Sequence, residues 1–576
     1  MLFSLLLLAS SGTASVINPG FAERSIFRRN YNASGPVVDL GSAGKYLGIV
    51  QNNGTVASWK GIPYAKPPVG DLRFKGPKPL PTQSDDVQDV TDDPLRCVQF
   101  ASPGPNIIGV KAGPGVEDCL KLWIWKPVNA KKGDNLPVMV YIHGGGLQFS
   151  SAANNDFSDW VGHDQGFIAV NLAYRLGGFG FFASQELLDE GEWANAGLLD
   201  MRMGLDWVKS HISEFGGNPN EVTLMGQSGG GFGVVGQMTL YDGKKPNFKR
   251  TIPRSIQRSP SFTVSELSER NAAIAAVLNC PSSSSQLACF RKANASDFVN
   301  AVLSVNGGGK WGGNSGFVPT VDGYTLTDTV TRLFQSGKFA KVPMIAGTVT
   351  DESAAATPKT SSITNTSSIG AFNMSSEYLS KVQSFYPVNS TFASRSGTAN
   401  FFVNEWRAVV QANAGLGEGG IACSERLVNA AMAEYGGNTK HWGFRFEAPT
   451  VTQGGPTGVA WVAHSADNSY LQNATAVMTE QELEVAEEWR GYIGSFIKTG
   501  DPNTERVKDS VYWPPYNALG DYNNSPVRLV PAFRFPSNPG TGTQQKTGTQ
   551  LEVMQRPGLE RCDWWLSEEV IAQIRA

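Results

Sequence analysis

The residues with the clearest chemical potential are Gly226-Gln227-Ser228-Gly229-Gly230, set directly after the apolar run Val222 to Met225. A serine between glycines at a strand's end fits a sharp turn that holds its hydroxyl exposed, the geometry of a nucleophile. A Gly-rich structural turn would read the same way over five residues. A second Gly-rich stretch, Tyr141-Ile142-His143-Gly144-Gly145-Gly146, also closes an apolar run. Its backbone N–H groups are unobstructed by side chains and suit a developing oxyanion. A phosphate-cradling loop would need a following Gly-Lys-Ser/Thr, which is absent. A serine hydroxyl is a weak nucleophile at its own pKa and needs a base that titrates near neutrality, which points to histidine. Only His441 and His464 follow Ser228. His441 lies in a strand-like run, Lys440 to Phe446, and reads as structural. The third partner must be a carboxylate that orients the histidine, and composition does not choose among the many Asp and Glu residues.

Longer patterns narrow the choice. Phe215-Gly216-Gly217-Asn218-Pro219-Asn220-Glu221-Val222-Thr223-Leu224-Met225 leads into the serine turn, and Glu117-Asp118-Cys119-Leu120 precedes Leu122-Trp123-Ile124-Trp125-Lys126-Pro127. With Ala173 to Gly177 and Asn195 to Asp200, these resemble the type-B carboxylesterases and lipases, a family that includes the cholinesterases, from about Leu47 to Cys562. The second pattern departs from the family at Lys121 and Trp123. The resemblance implies an α/β-hydrolase fold, a mostly parallel central sheet flanked by helices, with a triad in the order serine, acid, histidine. On that basis Ser228 is the nucleophile, and His464, in Val462-Ala463-His464-Ser465-Ala466-Asp467, is the base, although the family usually has glycine after the histidine. Glu352, in the loop Ile345 to Ser353, is the acid, with its neighbour Asp351 as competitor. The same carry-over gives Gly145, Gly146 and Gly229 as oxyanion donors and pairs Cys97 with Cys119, Cys280 with Cys289, and Cys423 with Cys562.

The implied activity is carboxylic-ester hydrolysis through an acyl-enzyme, on a small-molecule or lipid ester, with no metal or organic cofactor. Triacylglycerol lipase and sterol esterase are alternatives within the class. Cholinesterases place a tryptophan between the cysteines of the first disulfide; here Phe100 is present but no tryptophan, which argues against a choline ester. A non-catalytic adhesion protein on the same fold is the alternative of another class. Prolines and glycines interrupt the segment between Cys97 and Cys119, so a long helical flap over the site is not expected there. Asn306 to Phe317 and Thr357 to Ser396 remain candidate lids.

The positioning elements are legible as periodicity. Leu122 to Trp125, Val138 to Ile142, Phe167 to Leu172 and Val222 to Met225 have the length and composition of strands buried on both faces. Met201, Leu205, Val208, Ile212 and Phe215 recur at helical spacing between the last two. Strand, helix, strand in that order implies parallel pairing. Leu47 to Phe74 reads as an irregular β-rich entry.

Bulk properties set the remaining bounds. The 576 residues are 41% apolar and 17% charged, enough for a deep core. The 48 basic and 51 acidic residues are interspersed, leaving no basic field for nucleic acid or anionic lipid. Met1 to Ser15 has the apolar run and small-residue end of a signal peptide, and residues 16–576 read as one α/β-hydrolase domain. Arg28-Arg29 is a candidate processing pair. Sequons at Asn32, Asn53, Asn294, Asn365, Asn373, Asn389, Asn473 and Asn523, with an even count of six cysteines, suggest a secreted glycoprotein. No stretch is long and apolar enough for stable membrane insertion, no Cys/His cluster suggests a metal, and the oligomeric state is not legible.

Overall fold

Apolar runs too short for helices and lacking a polar face form strands covered on two sides. Leu136–Ile142 and Ile168–Leu172 pair in parallel, and from Val138 to Ile142 and throughout Ile168–Leu172 every residue is buried. In the computed structural model, which describes residues 35–100, 115–305, 317–354, 376–386, 418–449, 461–472, 478–521, 523–532 and 547–574, they lie inside an 11-stranded sheet. Its order is Gln550–Val553, Val527–Val530, His441–Phe446, Met344–Val349, Arg250–Arg254, Gly217–Gln227, Leu136–Ile142, Ile168–Leu172, Lys121–Pro127, Val56–Pro63, Ile49–Gln51. The seven strands from Val527–Val530 to Ile168–Leu172 run parallel, and antiparallel strands close both edges. This is the expected α/β-hydrolase architecture. The entry segment is more regular than its Gly/Pro content suggests. Val56–Pro63 pairs along nearly its whole length with Lys121–Pro127, and the irregularity is confined to a bulge between Lys60 and Ile62.

Helices cover both faces. In His441–Phe446, Trp442 and Phe444 meet Phe496 and Trp489 of helix Glu480–Thr499 at ring distances of 5.7 and 4.9 Å. A Cβ on the intervening Gly443 would come within 2.8 Å of Glu425 on helix Cys423–Tyr435. Successive strand residues face opposite sides, so these two helices sandwich the sheet. Helix Glu480–Thr499 starts at a reciprocal Thr479–Glu482 cap and ends on Gly500 in the left-handed conformation.

The helix expected over Met201 to Phe215 is found as Ala196–His211, and its last turn tightens into a 3₁₀ segment, Ile212–Phe215, stopped by Gly216 at φ 92°. The tightening keeps Ile212 and Phe215 buried while the chain turns into strand Gly217–Gln227. Disulfides join Cys97 to Cys119, Cys280 to Cys289 and Cys423 to Cys562, the last across 139 positions. The described residues from Pro36 onward belong to one compact unit. Among the described sequons, Asn53, Asn294 and Asn523 are exposed. The signal segment, Arg28-Arg29, the sequons at Asn32, Asn365, Asn373, Asn389 and Asn473, and most of the candidate flap and lid segments lie outside the described residues.

Candidate active site

Strand Gly217–Gln227 ends at Ser228, and helix Gly229–Thr239 begins on the next residue. Ser228 itself takes φ 63° and ψ −125°, an unfavourable conformation for a residue with a Cβ. The turn is held on both sides. The Ser228 N–H donates to the Arg254 carbonyl at 3.0 Å, and its carbonyl accepts the Phe232 N–H at 2.9 Å. Glycine is required where the turn passes its neighbours: a Cβ on Gly230 would lie 2.0 Å from the Ile142 carbonyl oxygen. The strained turn presents the Ser228 hydroxyl at the carboxyl end of the parallel strands, where such folds place their sites.

His464 and Glu352 reach Ser228 from loops after two other strands. The Ser228 hydroxyl lies 2.7 Å from His464 Nε2, and His464 Nδ1 lies 2.5 Å from Glu352 Oε2. The second carboxylate oxygen of Glu352 accepts the Val349 N–H at 3.0 Å, which fixes the carboxylate plane. Glu352 and Ser228 are buried, and the His464 side chain between them is 16% exposed. Asp351 is buried too, but on different work. Its N–H donates to the Val462 carbonyl at 3.0 Å and its carboxylate accepts the Val462 N–H at 3.2 Å. One acidic neighbour meets the imidazole and the other ties down the backbone of the histidine loop.

Of the three glycines carried over as oxyanion donors, Gly145 and Gly146 are consecutive left-handed residues at φ 103° and 60°. Gly229 packs on them: a Cβ there would lie 2.8 Å from the backbone nitrogens of both Gly146 and Leu147. The Gly-rich loop therefore abuts the serine turn, and a Cβ on Gly144 would fall 3.1 Å from that of Ser228. His143, just before it, is buried, stacks on Tyr174 at 4.5 Å and has its pKa pushed down to about 4 by desolvation. It is a neutral wall. His441 is likewise buried and pushed down to about 4, which agrees with its structural reading.

Periodicity and the family patterns gave no role to a group beneath Ser228 and His464. Arg254 and Asp467 are fully buried and pair at 2.5 Å; Arg254 also donates to Asn468 Oδ1 at 2.8 Å. Asn468 Nδ2 donates to Gln227 Oε1 at 3.4 Å, and Gln227 Nε2 stands 3.2 Å from His464 Nε2. Sequence carried little signal of it, because the buried strand that ends on Arg254 reads Arg-Thr-Ile-Pro-Arg. Among the described residues no group of three or more His, Cys, Asp or Glu is placed to hold a metal, and no helix is long and apolar enough to cross a membrane.

Residues 34–528 match the model of the Carboxylesterase family. The chain belongs to that family. As a member it is a carboxylic-ester hydrolase. It is 30% identical over 523 residues to secreted lipase 1 of Botryotinia fuckeliana, a match covering 84% of this chain and 88% of that one. It is 33% identical over 313 residues to acetylcholinesterase of Electrophorus electricus, covering 52% of this chain and 48% of the other. Among solved structures it is similar to Aspergillus niger EstA, with a TM-score of 0.76 and 26% identity over 94% of this carboxylesterase-family chain and 99% of EstA.

Proposed function

We propose that the protein is a secreted serine esterase whose acyl-enzyme forms on Ser228. The observation that carries the reading is the unbroken contact chain from the Ser228 hydroxyl through His464 to the buried Glu352 carboxylate, at 2.7 and 2.5 Å. His464 takes the serine proton as Oγ attacks the ester carbonyl and returns it to the departing alcohol. It then activates the water that releases the acid. Glu352 holds the proton-bearing Nδ1 and stabilises the transient imidazolium. The backbone N–H groups of Gly145, Gly146 and Gly229 receive the carbonyl oxygen as it becomes an oxyanion. Nothing in this sequence of steps calls on a metal or organic cofactor.

Secretion is supported by the signal-like Met1 to Ser15 and the disulfides, and by a relative named as a secreted lipase. That likeness favours lipase as the second reading. Against choline esters stands the lack of a tryptophan between Cys97 and Cys119. A non-catalytic role is disfavoured because Ser228, His464 and Glu352 are all retained and in mutual contact. The test is covalent labelling with a fluorophosphonate followed by peptide mapping, beside hydrolysis rates on p-nitrophenyl esters, emulsified triglycerides and sterol esters. Label on Ser228, and its loss in Ser228→Ala together with activity, is the expected result. Label on another serine would overturn the assignment.

A further inference from the structure

Arginine can only donate hydrogen bonds, and this fixes the direction of every contact downstream of Arg254. Arg254 is fully buried, pairs with Asp467 and donates its Nη2 to Asn468 Oδ1 at 2.8 Å. With its oxygen occupied by a donor, Asn468 presents its amide nitrogen to Gln227, whose Oε1 accepts it at 3.4 Å. With that oxygen turned to Asn468, Gln227 presents its own amide nitrogen to His464 Nε2 at 3.2 Å. Each amide is held in one orientation by the group before it.

We propose that Arg254, Asn468 and Gln227 form a one-way donor relay that sets the protonation form of His464. The relay delivers an N–H to Nε2, and only an unprotonated nitrogen can accept it. The imidazole proton therefore resides on Nδ1, facing Glu352 at 2.5 Å, and the single Nε2 lone pair is shared between the Ser228 hydroxyl at 2.7 Å and the Gln227 N–H at 3.2 Å. That is the tautomer a general base needs before attack. After proton transfer the relay acts in the opposite sense. The imidazolium carries an N–H at Nε2 directed toward the Gln227 N–H, and two donors face each other. The proton is held less firmly and passes on to the departing alcohol. Gln227 and Asn468 are thus positioning residues that act through His464, and the inference rests on the triad reading of the site.

The other charged and titratable groups around the ring do not supply this effect. Glu352 shares in placing the proton on Nδ1, but it favours the imidazolium and so moves the acid limb in the opposite sense. Asp351, on the same acidic loop, is bound to the backbone of Val462. Arg254 and Asp467, on the strand and helix beneath, neutralise each other. His143, beyond Gly144, stays neutral in its buried stack.

The relay is tested on the acid limb of the kcat/KM–pH profile with a dissolved p-nitrophenyl ester, which reports protonation of the base in free enzyme. Gln227→Leu and Asn468→Leu remove the opposing donor without adding charge, and each moves the limb to higher pH by roughly 0.3–0.5 unit. Gln227→Glu replaces the donor with a charged acceptor and moves it by about one unit or more in the same direction. A merely structural role would lower kcat at every pH and leave the limb in place, and that result overturns the relay. Nitrogen-15 NMR of the wild-type His464 ring needs no variant: Nδ1 protonated and Nε2 bare near neutral pH is expected, and the reverse tautomer overturns it. If Ser228→Ala stays active, the triad reading itself fails. If Ser228 is essential but the limb does not move, the relay alone falls.

Discussion

His441 and His464 are the two histidines that follow Ser228, and the structure gives them opposite surroundings. His441 opens a central strand, is 2% exposed, meets the Thr439 carbonyl at 3.4 Å and packs near the Tyr516 ring. Desolvation outweighs those carbonyl contacts and pushes its pKa down to about 4. His464 sits in a loop at the carboxyl end of the sheet, with the Glu352 carboxylate at one nitrogen and the Ser228 hydroxyl at the other. Burial alone makes a histidine neutral and inert. A carboxylate on one side and a proton donor on the other suit it to the base's role proposed for it, and that difference is one of neighbours, not of residue type.

The comparison breaks most visibly at the chemical step. Ser228→Ala and His464→Ala are each expected to lower kcat by about 10⁴-fold or more, because triad members act as a unit. His441→Gln should keep kcat/KM within about threefold, an allowance for small shifts of a distant strand. Comparable losses from His441→Gln and His464→Ala in folded protein would erase the distinction.

The adjacent carboxylates give the next contrast. Glu352→Gln removes the charge facing Nδ1 and is expected to cost roughly 10²–10⁴-fold in kcat. Asp351→Asn keeps the shape but weakens the tie to Val462, with a loss of about tenfold from a looser histidine loop. Equal losses in steady-state kinetics would mean that the two acids share one role.

Stability should show the reverse pattern. Helix Cys423–Tyr435, which packs on the strand of His441, is bound to helix Arg556–Trp565 through Cys423–Cys562 across 139 positions. Loop-closure entropy gives that bridge roughly 5 kcal/mol, against roughly 2.6 kcal/mol for Cys280–Cys289 with its separation of 9. Urea unfolding of the double Cys→Ser variants is expected to rank them in that order.

Acid stability separates the histidines on a finer scale. His143 and His441 are depressed to about 4 when folded, whereas an unfolded histidine titrates near 6.5. Between those values the unfolded chain binds more protons, so stability is full above about 6.5 and falls as pH drops toward 4, by at most ~1.4 kcal/mol per pH unit for each histidine. His441→Gln should flatten the slope of unfolding free energy against pH in that window, while wild-type steepness in the variant would exclude His441 as its source. The smallest effect expected concerns interfaces. Prolines and glycines between Cys97 and Cys119 argue against a helical flap, so activity on a short-chain ester should change by less than about twofold as the substrate passes its solubility limit. A steep upward break would favour the lipase reading.

Much of the frame was legible because it depends on local patterns. The buried strands showed themselves as compact apolar runs, and the helix Ala196–His211 as a repeat of Met201, Leu205 and Val208. The serine turn was legible because a strained turn needs glycines at fixed offsets. Family resemblance, not periodicity, supplied Glu352 over Asp351 and the disulfide pairing. The regular pairing of Val56–Pro63 was not legible, because its partner Lys121–Pro127 is remote in sequence.

By itself, then, the sequence determined the order of elements, the serine turn and the pool of residues from which a site could be drawn. Only the tertiary structure decided which members of that pool face each other. Ser228, Glu352 and His464 are brought together by parallel strands that end at the same sheet edge. The opposite fates of Glu352 and Asp351 follow from side-chain directions in a loop, which carry no compositional signature. The donor relay from Arg254 depends most fully on the fold: each amide's orientation is set by a partner on another element, and hydrogen-bond polarity exists only once those elements are in contact.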